Sequence, residues 1–116
     1  MTRAYLAFTE KGLALAQKLA SALPGTVDRC GHGGPSLANW AAEQFAHADA
    51  LIFVGAVGIA VRAIAPHCRN KAVDPAVVVL DECGHFAVPI LSGHLGGAND
   101  LARALAAVCG AVPVIT

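Results

Sequence analysis

The stretch that decides the fold is residues 50–61, "ALIFVGAVGIAV", an uninterrupted apolar run of 12 residues. Its first part, "ALIFV" (50–54), lacks the alternation of polar and apolar side chains that marks a half-exposed strand. A continuous run of this kind is typical of an interior strand in a sheet that is covered on both faces. The glycine that follows predicts a tight turn into a helix that ends before Pro66. Because that helix is also almost wholly apolar, we expect it to be buried.

Strand and helix patterns alternate on both sides of this run. Apolar strand patterns occupy residues 3–8, 26–30, 76–81 and 85–90 and begin again at 112, while helical patterns occupy residues 10–23, the segment after Ser36 and residues 101–110. Thr9 and Ser36 are predicted N-caps, and Gly110 is predicted to end the last helix. The turn "ECG" (82–84) predicts a hairpin, so at least one strand pair is antiparallel. The pattern predicts a three-layer α/β/α sandwich around a mostly parallel, mixed sheet of about five or six strands.

The composition excludes several classes of partner. The chain has 116 residues, eight basic and eight acidic, and therefore no net charge, which argues against nucleic-acid binding. The longest apolar run is too short to span a membrane, and the N-terminus does not resemble a signal peptide, so we expect a cytoplasmic protein. With 56% hydrophobic and only 14% charged residues, part of the surface is expected to be covered by a partner or by further chain.

The four cysteines raise the question of a metal site. Three of them lie within two residues of a histidine: Cys30 and His32, His67 and Cys68, and Cys83 and His85. These pairs fall in separate loops, and none has the tight Cys-Cys or His-His spacing of a zinc site, so no metal is predicted. Cys109 is interpreted as a small core residue and the others as reduced thiols.

Three glycine-rich segments follow predicted strands and are the candidate binding surface: "GHGGPS" (31–36), "GAVG" (55–58) and "SGHLGGAN" (92–99). Ligands of open α/β sheets bind at the carboxyl ends of the strands, so these segments are expected to share one edge. Glycine lets a ligand approach the backbone closely, and helix N-termini favour anions. The predicted substrate-binding residues are Gly55, Gly58, Arg62, Ser92, Gly93, Gly96, Gly97 and Asn99. The phosphate-loop and dinucleotide signatures are missing, which disfavours a nucleotide-binding domain.

Arg62 is the one charged residue on its predicted helix. It could form an ion pair with Asp81 or Glu82, or extend to solvent along its apolar stem. Alternatively, its guanidinium could bind a ligand carboxylate bidentately. The sequence leaves both interpretations open.

His94 is the main catalytic candidate. A histidine beside a helix N-terminus tends to stay neutral, and a neutral imidazole can accept a proton or bind a metal. The alternative is that it only hydrogen-bonds within its loop. Ser92 and Asn99 have a structural alternative as well, because each is a predicted N-cap of the following helix.

Three blocks of the sequence resemble one family: "GAVGIAVRAIAP" (55–66), "KAVDPAVVVLDE.G" (71–84) and "LSGHLGGAN.LA" (91–102). Together they resemble the N-terminal region of CbiG, the cobalt-precorrin-5A hydrolases of anaerobic cobalamin biosynthesis. The resemblance implies that residues 1–116 are one α/β domain at the front of a longer protein. Residues 1–47 correspond to a variable lead-in and residues 48–116 to the signature region. The turn "DECGHF" lacks the basic residues associated with the family at this position.

The resemblance implies a hydrolase whose substrate is a cobalt-containing tetrapyrrole with a δ-lactone between a ring-A acetate and C20. Opening the lactone releases C20 as acetaldehyde and gives cobalt-precorrin-5B. Cobalt is carried by the substrate, so no cofactor of the protein's own is expected. The implied partners are this intermediate and the downstream domains of the same protein; a homodimer is left open.

The resemblance assigns no catalytic residue, so the roles are inferred from chemistry. His94 is interpreted as the general base that activates water, and the N–H groups of Gly96 and Gly97 as donors to the oxyanion. A second role for His94 would be axial contact with the substrate cobalt. The competing hypothesis is a non-catalytic module that binds the corrinoid intermediate while downstream domains carry out the chemistry.

Overall fold

The computed structural model describes all residues from 1 to 116 as one six-stranded mixed sheet with two helices on each face. This architecture confirms the predicted sandwich. In chain order the elements are β1 (Arg3–Ala7), α1 (Glu10–Ala22), β2 (Thr26–Arg29), α2 (Leu37–His47), β3 (Ala50–Val54), α3 (Val57–Ile64), a 3-10 turn (Ala65–His67), β4 (Ala76–Leu80), β5 (Phe86–Leu91), α4 (Ala98–Cys109) and β6 (Val112–Pro113).

The strand order is β2-β1-β3-β4-β5-β6. Strands β1 to β4 are mutually parallel, and one row across the three central strands joins Tyr5, Ile52 and Val78. Strand β5 is antiparallel to β4, and β6 is parallel to β5. The turn at residues 82–84 therefore reverses the chain direction as predicted, with Gly84 in the left-handed region at φ 71°.

Each face of the sheet has its own apolar core. One core contains Tyr5, Ile52 and Val78 and is covered by α1 and α4. The other contains Phe53 and is covered by α2 and α3, where Trp40 packs edge-on against the Phe53 ring with centroids 5.3 Å apart. All residues of β3 and β4 are buried, as the continuous apolar runs predicted for interior strands.

The helix ends agree with the sequence at most positions. The Thr9 hydroxyl accepts from the Gly12 N–H and caps α1, and the Ser36 hydroxyl accepts from the Asn39 N–H and caps α2. Gly110 ends α4 with φ 78°. Cys109, at the last position of α4, is half-buried against the core, and all four cysteines are free thiols.

The expected burial of α3 is wrong. Only Ala60 and Ile64 are buried, while Val57, Ile59 and Val61 are each at least 40% exposed. The helix is eight residues long, and only one stripe of it contacts the sheet, so its remaining apolar side chains face outward. None of the four helices combines the length and the apolar character that a bilayer crossing requires.

Candidate functional site

The glycine-rich segments do not share one edge of the sheet. Segments 31–36 and 55–58 follow β2 and β3, at the end of the molecule where β1 to β4 terminate, which we call the carboxyl edge. Because β5 runs antiparallel, segment 92–99 lies where β1 to β4 begin, which we call the amino edge. The expected single surface is therefore wrong: a five-residue strand separates the two edges by roughly 13 Å.

The carboxyl edge holds a cleft of about 360 Å³. It is lined by Phe8, Thr9, Val54, Gly55, Ala56, Ile59, Asp81 and Glu82. Its polar groups are already engaged within the protein. The Thr9 hydroxyl donates to the Glu82 carboxylate, and Asp81 accepts from the N–H groups of His85 and Phe86. The two carboxylates disfavour the anionic ligand that the sequence predicted for this edge.

Of the three predicted binding residues in this part of the chain, only Gly55 lines the cleft. A Cβ on Gly55 would lie 2.9 Å from the Phe8 ring, so packing alone accounts for that glycine. A Cβ on Gly58 would meet nothing within 4 Å. Arg62 is exposed and forms no ion pair with Asp81 or Glu82, so the first structural alternative for it is wrong.

The amino edge is formed by a compact junction between β5 and α4. Ser92 is buried, adopts the left-handed region at φ 56°, and donates its hydroxyl to the Asp74 carbonyl at 3.0 Å. A Cβ on Gly96 would lie 2.5 Å from the Ser92 Cβ, and one on Gly93 would lie 2.7 Å from the Asn99 Oδ1. The Cβ and the backbone carbonyl of Ser92 therefore leave no room for a side chain at residue 96, whereas a side chain at residue 93 would displace the Asn99 amide.

Neither Ser92 nor Asn99 caps α4, which corrects that prediction. The N-cap is Gly97, at φ 84°, and no side chain bonds to the first turn. Two backbone hydrogen bonds hold the loop against the start of α4: the Ala98 N–H donates to the Ser92 carbonyl, and the Asn99 N–H donates to the Gly93 carbonyl. The serine and the amide are consequently free of the capping role that the sequence favoured for them.

His94 lies at the exposed tip of this junction. Of the five histidine rings, only that of His47 hydrogen-bonds to the protein, so both ring nitrogens of His94 are available to a ligand. The N–H groups of residues 93–97 donate no hydrogen bond within the chain. The structure therefore brings His94 together with the backbone donors of Gly96 and Gly97, but not with Gly55, Gly58 or Arg62.

A second cavity, of about 420 Å³, lies at the same edge and was missed in the sequence. It is lined by Ala42, Phe45, Ala46, Pro66, His67, Cys68, Arg69, Val73, Asp74 and Pro75. Both oxygens of the buried Asp74 carboxylate accept from the Arg69 N–H, at 3.1 and 3.0 Å. Since the Asp74 carbonyl accepts from Ser92, this cavity adjoins the His94 junction. The signal that could have identified it is the charged segment between α3 and β4, which contains Arg69, Lys71 and Asp74.

The cysteine–histidine pairs do not assemble into a metal site, because no three His, Cys, Asp or Glu side chains come together in a suitable group. Desolvation of the sulfur, and then the Asp74 carboxylate, raise the pKa of the Cys68 thiol, which keeps it protonated. The Cys83 sulfur lies 3.1 Å from the Lys11 Nζ, and this hydrogen bond raises the pKa of Lys11.

Comparison with known proteins identifies the family. The family model described as "Cobalamin synthesis G N-terminal" matches residues 39–116. The chain belongs to the CbiG N-terminal family. The resemblance carried by the three sequence blocks is thereby confirmed. The matched region includes β3 to β6 and both glycine-rich junctions of interest.

Individual CbiG relatives agree with this assignment. The chain is 47% identical over 121 residues to the cobalt-precorrin-5A hydrolase of Salmonella typhimurium, an alignment that covers 97% of this chain and 34% of the relative. It is 52% identical over 66 residues to the cobalt-precorrin-5A hydrolase of Priestia megaterium, covering 57% of this chain and 18% of that protein. The chain thus spans about a third of the Salmonella protein's length.

The CbiG fold is also matched by a solved structure. The crystal structure of a cobalamin biosynthesis protein G homolog from Sulfolobus solfataricus superposes with a TM-score of 0.82 at 26% sequence identity. The match covers 99% of this chain and 36% of that chain. The whole six-stranded domain, including β1 to α2, therefore has a counterpart within a longer protein of this family.

Proposed function

We propose that this chain acts as the N-terminal part of a cobalt-precorrin-5A hydrolase in the cytoplasm. The observation that carries the proposal is the 47% identity to a cobalt-precorrin-5A hydrolase over 97% of the chain. The substrate would be the cobalt tetrapyrrole lactone, and the partner would be the rest of a hydrolase of this kind. The four free thiols are consistent with a reducing compartment.

The amino edge is the surface we assign to the chemistry. Its β5–α4 junction offers an accessible imidazole beside backbone N–H groups that no protein acceptor satisfies. The cleft at the carboxyl edge has two carboxylates and no basic side chain in its lining, so it would repel the acetate and propionate groups of the substrate, whereas the cavity at the amino edge is lined by Arg69. Gly96 lets the junction close onto Ser92, Gly97 is the left-handed N-cap of α4, and the Ser92 hydroxyl binds the junction to the Asp74 carbonyl.

The roles follow from the reaction. Lactone hydrolysis requires a water whose oxygen bonds to the lactone carbonyl carbon while its proton is taken up by His94. Negative charge then develops on the carbonyl oxygen, and the N–H groups of Gly96 and Gly97 stabilise it. When the ester bond breaks, the acetate is freed as a carboxylate and C20 keeps its oxygen as an alkoxide. The C20–O bond then becomes a carbonyl as the bond from C20 to the ring carbon breaks, so that C20 leaves with its methyl group as acetaldehyde. The electron pair of the broken bond passes into the conjugated macrocycle, which takes up the proton held by His94.

A chimera tests the proposal. In the Salmonella hydrolase, the corresponding third of the protein is replaced by residues 1–116, and acetaldehyde release from cobalt-precorrin-5A is measured. We expect turnover by the chimera, and a loss of about 100-fold or more in kcat for His94→Ala. The matched control is His85→Ala, an exposed histidine at the carboxyl edge, which should leave kcat unchanged.

The outcomes separate the parts of the proposal. A chimera that folds, binds the intermediate and releases no acetaldehyde would contradict the hydrolase assignment. Equal losses in His94→Ala and His85→Ala would remove the general-base role from the amino edge. A circular dichroism melt of each variant excludes loss of folding as the cause.

The second candidate function is a non-catalytic module that binds the corrinoid intermediate. It is favoured by the free His94 ring, since general bases are commonly oriented by a neighbouring side chain and none does so here. In that case His94→Ala would raise KM in the chimera and leave kcat unchanged.

A further inference from the structure

We propose that the cavity between α2 and the segment 66–75 is a subsite for one carboxylate arm of the substrate, with Arg69 as its binding residue. This rests on the proposed function, because it assumes that the tetrapyrrole is bound at the amino edge. The cavity, of about 420 Å³, is at the lower end of the range for small-molecule sites. It therefore suits a side arm rather than the whole macrocycle.

The charge arrangement of the cavity favours a carboxylate. Arg69 lines it and forms no ion pair with any acidic side chain of the protein. The one carboxylate in the wall, Asp74, is buried and has both oxygens turned to the Arg69 backbone N–H. The guanidinium is thus left with five donors and no protein acceptor, and it matches a carboxylate bidentately.

The remaining wall suits the methylene carbons of an acetate or propionate arm. Phe45 and His67 form a tilted ring pair with centroids 5.8 Å apart, and Pro66 and Val73 extend the apolar surface. His67 also lines the cavity, and its imidazole can donate a hydrogen bond to a carboxylate oxygen.

The position of the cavity couples it to the reacting groups. The Ser92 hydroxyl donates to the Asp74 carbonyl at 3.0 Å, so the wall of the cavity and the junction that carries His94 are joined by a direct hydrogen bond. A carboxylate held by Arg69 would fix the macrocycle relative to His94. Arg69 would then contribute to substrate binding without taking part in proton transfer.

The test uses the chimera with the Salmonella hydrolase and three variants: Arg69→Ala, Arg69→Lys and Arg103→Ala. We expect Arg69→Ala to raise KM by about 10- to 100-fold, as for loss of a charged hydrogen bond, with little change in kcat. Arg69→Lys should recover part of this loss because it restores the charge without the bidentate geometry. Arg103→Ala is the control, since Arg103 already pairs with Asp100 at 3.1 Å.

A binding measurement keeps the subsite testable if the chimera shows no turnover. The probes are a cobalt corrin with free acetate and propionate arms and its methyl ester, titrated by absorbance. Arg69→Ala should weaken binding of the free acid by about tenfold or more and leave binding of the ester unchanged. Equal affinity of wild type and Arg69→Ala for the acid, or a loss of kcat with unchanged KM, would overturn the proposal.

Discussion

The junctions before α3 and α4 are both glycine-rich and both lead from a strand into an apolar helix, yet they are built differently. In residues 55–58, Gly55 packs against the Phe8 ring while Gly58 has open space around it, and the helix that follows exposes much of its apolar surface. In residues 92–97 the glycines let the loop fold onto itself, and the helix that follows buries its apolar stripe. Glycine content alone therefore does not identify a ligand-binding loop. What a Cβ would contact at each glycine shows whether packing within the protein already explains that residue.

The largest expected effect concerns the two helices. Leu105 in α4 is fully buried, whereas Val61 in α3 is 45% exposed. Leu105→Ala should lower the free energy of unfolding by about 2–4 kcal/mol, because it leaves a cavity in the core. Val61→Ala should change it by less than about 0.5 kcal/mol. Urea unfolding followed by circular dichroism measures both, and similar losses would contradict the exposed position of α3.

The next prediction compares the junctions directly. Gly96→Ala places a Cβ 2.5 Å from the Ser92 Cβ, with the Ser92 carbonyl also close. Because the backbone at Ser92 would have to move to make room, we expect the free energy of unfolding to fall by about 2 kcal/mol. The same urea titration gives the value. A neutral result would mean that the space around Gly96 is as open as the space around Gly58.

The opposite sign is expected at the other junction. Gly58 lies within α3, and a Cβ there would have nothing within 4 Å. Since alanine favours helix over glycine, Gly58→Ala should raise the free energy of unfolding by about 0.5–1 kcal/mol. If it destabilises the domain instead, the first turn of α3 has contacts that this structure does not contain.

The smallest effect is a pH dependence at the amino edge. The Thr2 N–H and hydroxyl donate to the Asp49 Oδ2 at 2.7 and 3.1 Å, and they lower the pKa of Asp49 below its ordinary value of 3.8. A lowered pKa in the folded state means that Asp49 stabilises the fold above the unfolded-state pKa and stops doing so as the pH falls through the folded value. Asp49→Asn should therefore lose less stability than wild type as the pH falls below the unfolded-state pKa of about 3.9. Parallel slopes in urea titrations across this range would contradict the assignment.

Much of the fold was predictable because its strongest signals are local. The unbroken apolar runs of β3 and β4 identify interior strands, and the 82–84 turn identifies the antiparallel reversal. Thr9 and Ser36 cap their helices as expected, since a hydroxyl needs only the three following residues to do so. In each of these cases the deciding interaction lies within a few residues of chain.

The site was less predictable because it depends on tertiary contacts. Because β5 is antiparallel to β4, His94 lies at the amino edge. The sequence predicted this hairpin, but the loop after β5 was still expected at the same edge as the loops after the parallel strands. The Ser92 hydroxyl bonds to Asp74 rather than to the helix, a contact between residues 18 apart in the chain. The orientation of α3, by contrast, was indicated locally: Arg62 is the one charged residue of this helix, and it is exposed on the side opposite to the buried Ala60 and Ile64.

The reversed direction of β5 also sets the long-range field of the domain. Helices α1, α2 and α3 begin at the carboxyl edge, whereas α4 begins at the amino edge. The macrodipole of α4 therefore opposes those of the other three helices. At the amino edge, the positive N-terminus of α4 lies beside the negative C-termini of α1, α2 and α3. With zero net charge on the chain, a polyanionic ligand would experience little electrostatic steering toward this edge. Its association rate with the domain should therefore depend only weakly on ionic strength, and its orientation should be set by short-range contacts after encounter.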